Sequence, residues 1–199
     1  MTALDAWTHI FPPAYFKRLQ NVASARGPLP RWMTLTSLHD LDARFSIMDR
    51  FVDYKQVLTP SMPPPEQLGE AQAAADFASL MNDGLAELVS RYPDRFPAFV
   101  GALSFLDADL AAREIGRARA MGAKGFQICT HVRGRPLDDA AFRPIFDALA
   151  EAQAPIWLHP VRGPVSDYPT LQKSKYEIWW CFGWPYESAV AMSHLVFSG

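Results

Sequence analysis

The chain has 199 residues, of which 49% are hydrophobic and 20% charged, and a formal net charge of -2. This length allows a domain with a sizeable core, and the near-neutral charge gives no basic footprint for nucleic acid or membrane surfaces. No basic leader precedes an apolar segment, and no uncharged apolar run approaches the ~20 residues that span a bilayer. We therefore expect a cytoplasmic protein without nucleic-acid or membrane partners, which leaves small-molecule chemistry as the default.

Cys129 and Cys181 are the two cysteines, too few for a disulfide framework. A bridge between them is one interpretation. Two buried thiols in a reducing compartment is the interpretation that we favour.

Taken in chain order, the first half of the sequence alternates between strand-like and helix-like segments. The opening stretch LDAWTHIFPPAYF contains a strand-like apolar run that finishes at His9, and KQVLTP at 55–60 also reads as a strand. Residues 71–91 are rich in alanine and place apolar side chains at helical spacing, and Pro93 closes this predicted helix. The segment FPAFVGALS at 96–104 is the next predicted strand.

The alternation continues through the middle of the chain. Asp107 is a predicted N-cap for a helix that runs through Met121, with Gly122 as its end. The segment AKGFQICTH at 123–131 then reads as a buried strand.

Two further helices and one strand are predicted beyond this point. Either Asp138 or Asp139 caps a helix whose apolar residues between 142 and 149 follow the i, i+3, i+4, i+7 rule. The strand APIWLHP occupies 154–160, and the last helix begins at Gly183-Trp184-Pro185. Residues 20–40, 61–70 and 161–182 are predicted as irregular loops, which often carry function.

Repeated strand–helix–strand units of this length indicate an α/β protein with a parallel sheet. The same alternation is typical of a doubly wound sheet and of a barrel. Neither GxGxxG nor GxxxxGK[ST] follows any of the predicted strands, which argues against a dinucleotide-binding or P-loop fold.

Three histidines, His9, His131 and His159, fall at the apparent ends of predicted strands. Parallel strands deliver such side chains to the carboxyl edge of the sheet, where α/β sites form. Neutral imidazole binds zinc, manganese or iron, although a single histidine of this kind is more often structural. His39, in a polar irregular stretch, and His194, on the last helix, are expected to lie outside the site.

Four stretches together resemble the amidohydrolase superfamily. They are LDAWTHIFPPAYF, GFQICTH at 125–131, IWLHP at 156–160 and GWPYESAVAMSHLVFSG at 183–199. The resemblance is to the amidohydrolase-2 group, which includes aminocarboxymuconate-semialdehyde decarboxylase and related metal-dependent decarboxylases, and it covers essentially the whole chain. It implies the (β/α)8 TIM-barrel fold with one catalytic divalent metal, zinc first and manganese as the alternative.

The resemblance also implies the metal ligands. His9 matches the second ligand of the strand-one motif, and His159 matches the ligand at the end of the fifth strand. The first ligand position holds Trp7, whose indole nitrogen donates a hydrogen bond but offers no lone pair to a cation. Because catalytic zinc generally takes about three protein ligands, we expect the metal to occupy this site only partly.

The resemblance further implies that the chain is incomplete. The family's strand-six histidine and strand-eight aspartate would follow Gly199, and a full barrel takes ~250 residues. We therefore expect residues 1–199 to form a single barrel-like domain of about five strand–helix units, as a fragment or a shortened product. The catalytic acid or base is expected beyond Gly199, and the open edges are expected to drive homo-oligomerisation.

The function that the resemblance implies is non-oxidative decarboxylation of a small aromatic or unsaturated carboxylic acid. A metal-dependent hydrolase of the same superfamily and a non-catalytic, metal-poor barrel remnant are the alternatives. Arg31 is a candidate for binding the substrate carboxylate, because a guanidinium fork suits that group. Trp7, His131 and Trp184 are the other candidate substrate-binding residues, and packing or solvated roles are the alternative for each.

Overall fold

The structure is a computed structural model that describes residues 3–24 and 31–199, without the side chains of 23–24 and 31–32. Its strands and helices alternate along the chain. In order they are β1 (Ala3–Ile10), α1 (Pro13–Ser24), α2 (Leu41–Met48), β2 (Tyr54–Pro60), α3 (Ala71–Arg91), β3 (Ala98–Phe99), β4 (Gly101–Ala102), α4 (Ala108–Ala120), β5 (Phe126–Cys129), β6 (His131–Val132), β7 (Arg135–Pro136), α5 (Arg143–Glu151), β8 (Ile156–His159), α6 (Ile178–Cys181) and α7 (Gly183–Phe197). Short 3-10 helices lie at Arg31–Thr34, Thr36–Leu38, Pro65–Gln67 and Ala140–Phe142.

The main strands form two three-stranded parallel sheets that a single residue joins. One sheet has the order β1-β2-β3 and the other the order β4-β5-β8. Val100 separates β3 from β4, and its N–H donates to the carbonyl of Leu58 at 2.8 Å. The next N–H, that of Gly101, donates to the carbonyl of Gly125 at 2.8 Å on the other side. With β3 and β4 counted as one interrupted strand, five parallel segments follow one another in chain order, which confirms the predicted α/β class.

Helix α3 is the longest element and packs one apolar face on the strands. Its buried side chains include Phe77, Met81, Leu85 and Leu88, at the spacing that the sequence predicted. The buried amide of Asn82 on the same face accepts the Ala102 N–H at 2.6 Å and donates to the Ala102 carbonyl at 3.0 Å. These bonds fix α3 against β4.

Several boundaries differ from those that the sequence predicted. Helices α1 and α2 were not predicted: residues 20–40 were expected to be irregular, and no element was predicted for 41–48. The predicted strand at 96–104 is two short segments, and β5 ends at Cys129 rather than at 131. Of the two predicted caps, Asp139 accepts the N–H of Ala141, so Asp139 is the capping residue.

The cysteines are free thiols, as favoured above, but Cys129 is half-buried and Cys181 is exposed, so the expectation of two buried thiols is wrong. Among the described residues, none of the helices combines the length and apolarity needed to cross a membrane.

Candidate metal centre

The carboxyl ends of β1 and β8 bring two imidazole rings together. His9 pairs in register with Thr59 near the end of β1, and His159 is the last residue of β8. The centroids of the two rings are 5.1 Å apart, with an interplanar angle of 63°. Residues 150 positions apart in the sequence therefore meet at one edge of the strand layer.

Backbone carbonyls determine which nitrogen of each ring carries the proton. The Nδ1 atom of His9 lies 2.7 Å from the carbonyl oxygen of Pro60, and that of His159 lies 2.6 Å from the carbonyl oxygen of Pro160. A carbonyl only accepts hydrogen bonds, so we assign the proton to Nδ1 in both rings. Each Nε2 then keeps a free lone pair, which is the usual arrangement of a histidine that binds a metal.

Both rings are also kept neutral by their surroundings. Burial lowers the pKa of His159 to about 4, and the neighbouring His9 adds to the effect. Burial likewise lowers the pKa of His9, although the hydrogen bond to Pro60 works in the opposite direction. Neutral imidazole is the form that binds metals, so both rings are ready for a cation at neutral pH.

A hydrogen-bonded chain of side chains supports His9. The Pro60 carbonyl that binds His9 also accepts a hydrogen bond from Gln127 Nε2 at 3.0 Å. Gln127 Oε1 in turn accepts the indole N–H of Trp7 at 3.1 Å. The Trp7 indole thus donates its hydrogen bond to a side-chain amide. The centroid of its ring lies 6.2 Å from that of the His159 ring. The Trp7 ring therefore lies beside the histidine pair.

A buried arginine holds the main chain at His9. Arg44 is only 6% exposed, and its Nη1 donates to the carbonyl of His9 at 2.8 Å and to that of Ser37 at 3.1 Å. Its Nε donates to Gln56 Oε1 at 2.7 Å. Burial lowers the pKa of Arg44 to about 10, so the guanidinium stays charged at neutral pH.

The far side of His159 is formed by the start of α7 and the loop after β8. The Trp184 ring centroid is 5.6 Å from that of His159, and its indole N–H donates to the Arg162 carbonyl at 3.0 Å. Glu187 Oε1 accepts the N–H of Val161 at 2.9 Å and the hydroxyl of Thr130. These contacts fix the loop that follows His159.

The remaining three histidines have other partners in the structure. The Nδ1 of His131 accepts the N–H of Gly134 at 3.0 Å within the β6–β7 hairpin. His39 stacks on Phe16, and His194 lies 3.0 Å from Asp138, so neither belongs to the pair. The Arg31 side chain lies outside the described residues.

The donor chemistry fits a divalent metal, but with few protein ligands. Two neutral imidazoles with free Nε2 atoms are suitable donors for zinc or manganese. In the part of the chain that the structure describes, no group of three or more His, Cys, Asp or Glu side chains is arranged to hold a metal ion. His9 and His159 therefore supply two donors where a catalytic zinc generally takes about three from the protein.

Three residues that support the site were not predicted from the sequence: Arg44, Gln127 and Glu187. Gln127 had a readable signal, because it is a polar residue inside the apolar strand GFQIC and such a side chain needs a buried partner. Arg44 and Glu187 lie on helices whose polar residues are normally solvated, so their roles depend on contacts distant in sequence.

Comparison with known proteins identifies relatives over most of the chain. The Amidohydrolase family model matches residues 4–199. A gamma-resorcylate decarboxylase of Polaromonas sp. is 29% identical over 198 residues, which cover 93% of this chain and 60% of the relative. A 2-amino-3-carboxymuconate-6-semialdehyde decarboxylase of Dictyostelium discoideum is 31% identical over 129 residues, or 64% of this chain and 34% of the relative. The chain thus spans less than two thirds of the length of these relatives.

Solved structures share the arrangement of strands and helices. The 5-carboxyvanillate decarboxylase of Novosphingobium aromaticivorans, solved with bound manganese and a nitrobenzoic acid, superposes with a TM-score of 0.75 at 29% identity. That comparison covers 98% of this chain and 61% of the other. The apo form of the Metarhizium anisopliae IDCase gives a TM-score of 0.83 at 23% identity, covering 100% of this chain and 61% of that one. At that identity the second comparison bears on the fold alone.

Proposed function

The chain belongs to the amidohydrolase family, and from that premise we propose that it acts as a metal-dependent, non-oxidative decarboxylase of a small aromatic carboxylic acid. The observation that carries the proposal is the pairing of His9 and His159, each with Nδ1 on a backbone carbonyl and Nε2 free. The names of the relatives support the reaction, since those compared above are decarboxylases of unsaturated or aromatic acids.

We further propose that the five parallel segments are the first five strands of a (β/α)8 barrel. Their chain order and their parallel pairing support this proposal, as does the similarity to the manganese-containing decarboxylase. In such barrels active sites lie at the carboxyl ends of the strands. His9 and His159 both lie at that edge.

Each residue of the site has a proposed part in the reaction. His9 and His159 would hold the divalent metal through Nε2. When bound, a divalent metal supplies Lewis-acid polarisation of a carboxylate oxygen. The rings of Trp7 and Trp184 flank His159 and orient a planar substrate by aromatic contact. The same two rings exclude water from one side of the site.

One observation favours a second candidate function. The described residues offer two metal donors, and Trp7 stands where the family supplies another. A metal-poor domain that binds or assembles without catalysis is the function that these facts favour instead.

Metal analysis joined to a carbon dioxide assay tests the proposal. The purified protein is stripped of metal, dialysed against zinc or manganese, and assayed with gamma-resorcylate, the acid named for a relative. We expect metal uptake below one ion per chain, because the described residues offer two protein ligands, and release of carbon dioxide from protein extended to the length of the relatives. His159→Ala should lower metal affinity by more than the ~10-fold that loss of an outer-shell partner costs, because it removes a ligand, whereas His194→Ala, on the ion pair with Asp138, should not.

Three outcomes would contradict the decarboxylase. Folded protein that takes up no metal would support the metal-poor domain. Stoichiometric metal with hydrolysis of esters or amides and no carbon dioxide would support the hydrolase. If His159→Ala and His194→Ala lose metal affinity equally, His159 is not a ligand of the metal.

A further inference from the structure

We infer that Arg162 is a residue that binds the carboxylate of the substrate at this site, in addition to the Arg31 predicted from the sequence. The inference rests on the proposed function for the identity of the substrate, but its geometry is independent of the metal. Arg162 follows β8 by three residues, in the loop that leaves His159.

The guanidinium of Arg162 has unused hydrogen-bond donors. Its Nε is buried and has no hydrogen-bond partner. Its side chain also makes no hydrogen bond or ion pair with any residue that the structure describes, whereas Arg44, Arg117 and Arg133 each bind carbonyl or carboxylate oxygens. A charged donor shielded from water costs free energy unless an acceptor pairs with it. An anion is the acceptor that this arrangement lacks.

One contact with Trp184 and one with Gly183 fix the position of Arg162. Its own carbonyl accepts the indole N–H of Trp184, and the Trp184 ring contacts the ring of His159. On α7, a Cβ added to Gly183 would lie 3.0 Å from Arg162 Cδ and 3.2 Å from Nε. The side chain therefore packs closely against Gly183, beside the aromatic wall of the histidine pair.

The nearest acidic candidate does not neutralise Arg162. Glu187 Oε1 is engaged by the N–H of Val161 and the hydroxyl of Thr130, and no ion pair joins Glu187 to Arg162 among the described residues. By contrast, Arg143 is a solvated surface arginine, since its side chain is 72% exposed and pairs with Asp147.

The unpaired N–H donors of Arg162 favour a carboxylate as their acceptor. A guanidinium presents its N–H groups in a planar fork that matches the two oxygens of a carboxylate. A planar aromatic acid places such a group in the plane of its ring, next to the tryptophan that would contact the ring. Inorganic phosphate offers similar oxygens without a ring, so the test includes it as a separate ligand.

Binding to the metal-free chain isolates the contribution of Arg162. Isothermal titration calorimetry measures the affinity of the wild type, Arg162→Gln and Arg162→Lys for three ligands. These ligands are gamma-resorcylate, neutral resorcinol and inorganic phosphate. A hydrogen-bonded charge contributes about 1.5–3 kcal/mol, so Arg162→Gln should weaken gamma-resorcylate at least ~10-fold. Resorcinol should change less than ~2-fold, because it lacks the carboxylate. Arg143→Gln is the matched control and should change neither.

Several outcomes would overturn the inference. One is that Arg162→Gln binds gamma-resorcylate with the same affinity as the wild type. Another is that the wild type binds phosphate as tightly as it binds gamma-resorcylate. If Arg162→Gln does not fold, Arg162→Lys carries the test, because it keeps the charge and loses the fork. Unchanged binding in that variant would contradict the inference too.

The same measurements separate this inference from the proposed function. Carboxylate binding that depends on Arg162, without release of carbon dioxide by the metal-loaded protein, would overturn the decarboxylase alone. Release of carbon dioxide with an unchanged KM in Arg162→Gln would overturn the role of Arg162 alone.

Discussion

At the scale of single residues, the site is defined by how two imidazoles are held. Their Nδ1 atoms are bound to the carbonyls of Pro60 and Pro160, so the ring orientations follow from the backbone at the ends of β2 and β8. Gln127 adds a second donor to the Pro60 carbonyl and connects it to Trp7. The free lone pairs are thus oriented by groups that are not themselves ligands.

The neutral state of His159 predicts a pH-dependent stability of the metal-free protein. Its pKa is about 4 in the folded chain, against 6.5 for an ordinary histidine. Between these values the unfolded chain binds more protons, so the free energy of unfolding falls as the pH falls. Each pH unit costs about 1.4 kcal/mol, which gives a loss of up to about 3 kcal/mol between pH 6.5 and pH 4. Urea denaturation at several pH values measures this loss.

The variant His159→Gln should flatten that profile, because glutamine does not titrate. His9, whose pKa is lowered as well, contributes to the remaining slope together with carboxyl groups whose pKa shifts on folding, such as Asp139 and Glu66. His194→Gln is the control, since His194 is half exposed on α7. Parallel profiles of the wild type and His159→Gln would contradict the prediction.

The sequence predicted part of this site. The resemblance picked out His9, His159, Trp7 and Trp184, and the structure brings these four together. It did not indicate Arg162, because nothing in the motif IWLHP says that an arginine three residues on will lack a partner. That property depends on which elements surround the side chain after folding.

At the scale of elements, close packing between α3 and the β1–α1 connection positions the first strand. A Cβ added to Gly84 of α3 would lie 2.3 Å from Pro12 Cβ, closer than real contacts allow. The glycine therefore permits the close approach of the helix to the residues that follow His9. Gly116 of α4 is also helical, but a Cβ there would meet nothing within 4 Å.

Substitution of these two glycines by alanine should have opposite effects. Gly84→Ala should lower the free energy of unfolding by about 1–3 kcal/mol, because the added methyl group overpacks the contact with Pro12. Gly116→Ala should raise it by up to about 1 kcal/mol, the helix-propensity gain at an open position. Denaturant unfolding measures both, and a gain in both variants would show that the α3 contact is not tight.

The elements differ in how well the sequence predicted them. Helix α3 has a long periodic apolar face, and α4 has the capping residue Asp107, so both were predictable. Helix α2 has eight residues and buries the charged Arg44, which breaks the apolar pattern. The pieces β3 and β4 have two residues each, because the chain changes pairing partner at Val100.

At the scale of the whole molecule, apolar side chains remain exposed along the last helix. Phe197 is 86% exposed and Tyr186 is 65% exposed. Together with Val190, both line a groove of about 620 Å³ on α7. Exposed apolar surface of this kind marks a contact region.

We therefore predict that the chain self-associates as its concentration rises, in accord with the expected homo-oligomer. The double variant Tyr186→Ser/Phe197→Ser should shift sedimentation velocity profiles to smaller species, because it removes apolar surface from the groove. Val52→Ser, at an exposed site outside the helix, should leave association unchanged. A wild type that sediments as a monomer at all concentrations would contradict the prediction.

The change of pairing partner at Val100 has a consequence for how the protein opens. His9 belongs to the sheet on one side of that residue, and His159 belongs to the sheet on the other. Two successive amide groups, those of Val100 and Gly101, bind the two sheets in turn. Neither sheet can break its hydrogen bonds at this point without disturbing the other sheet. Both sheets should therefore open as one cooperative unit, with slow amide deuterium uptake in each. An ion that bridges the imidazoles would then protect all five segments at once, including those it does not touch.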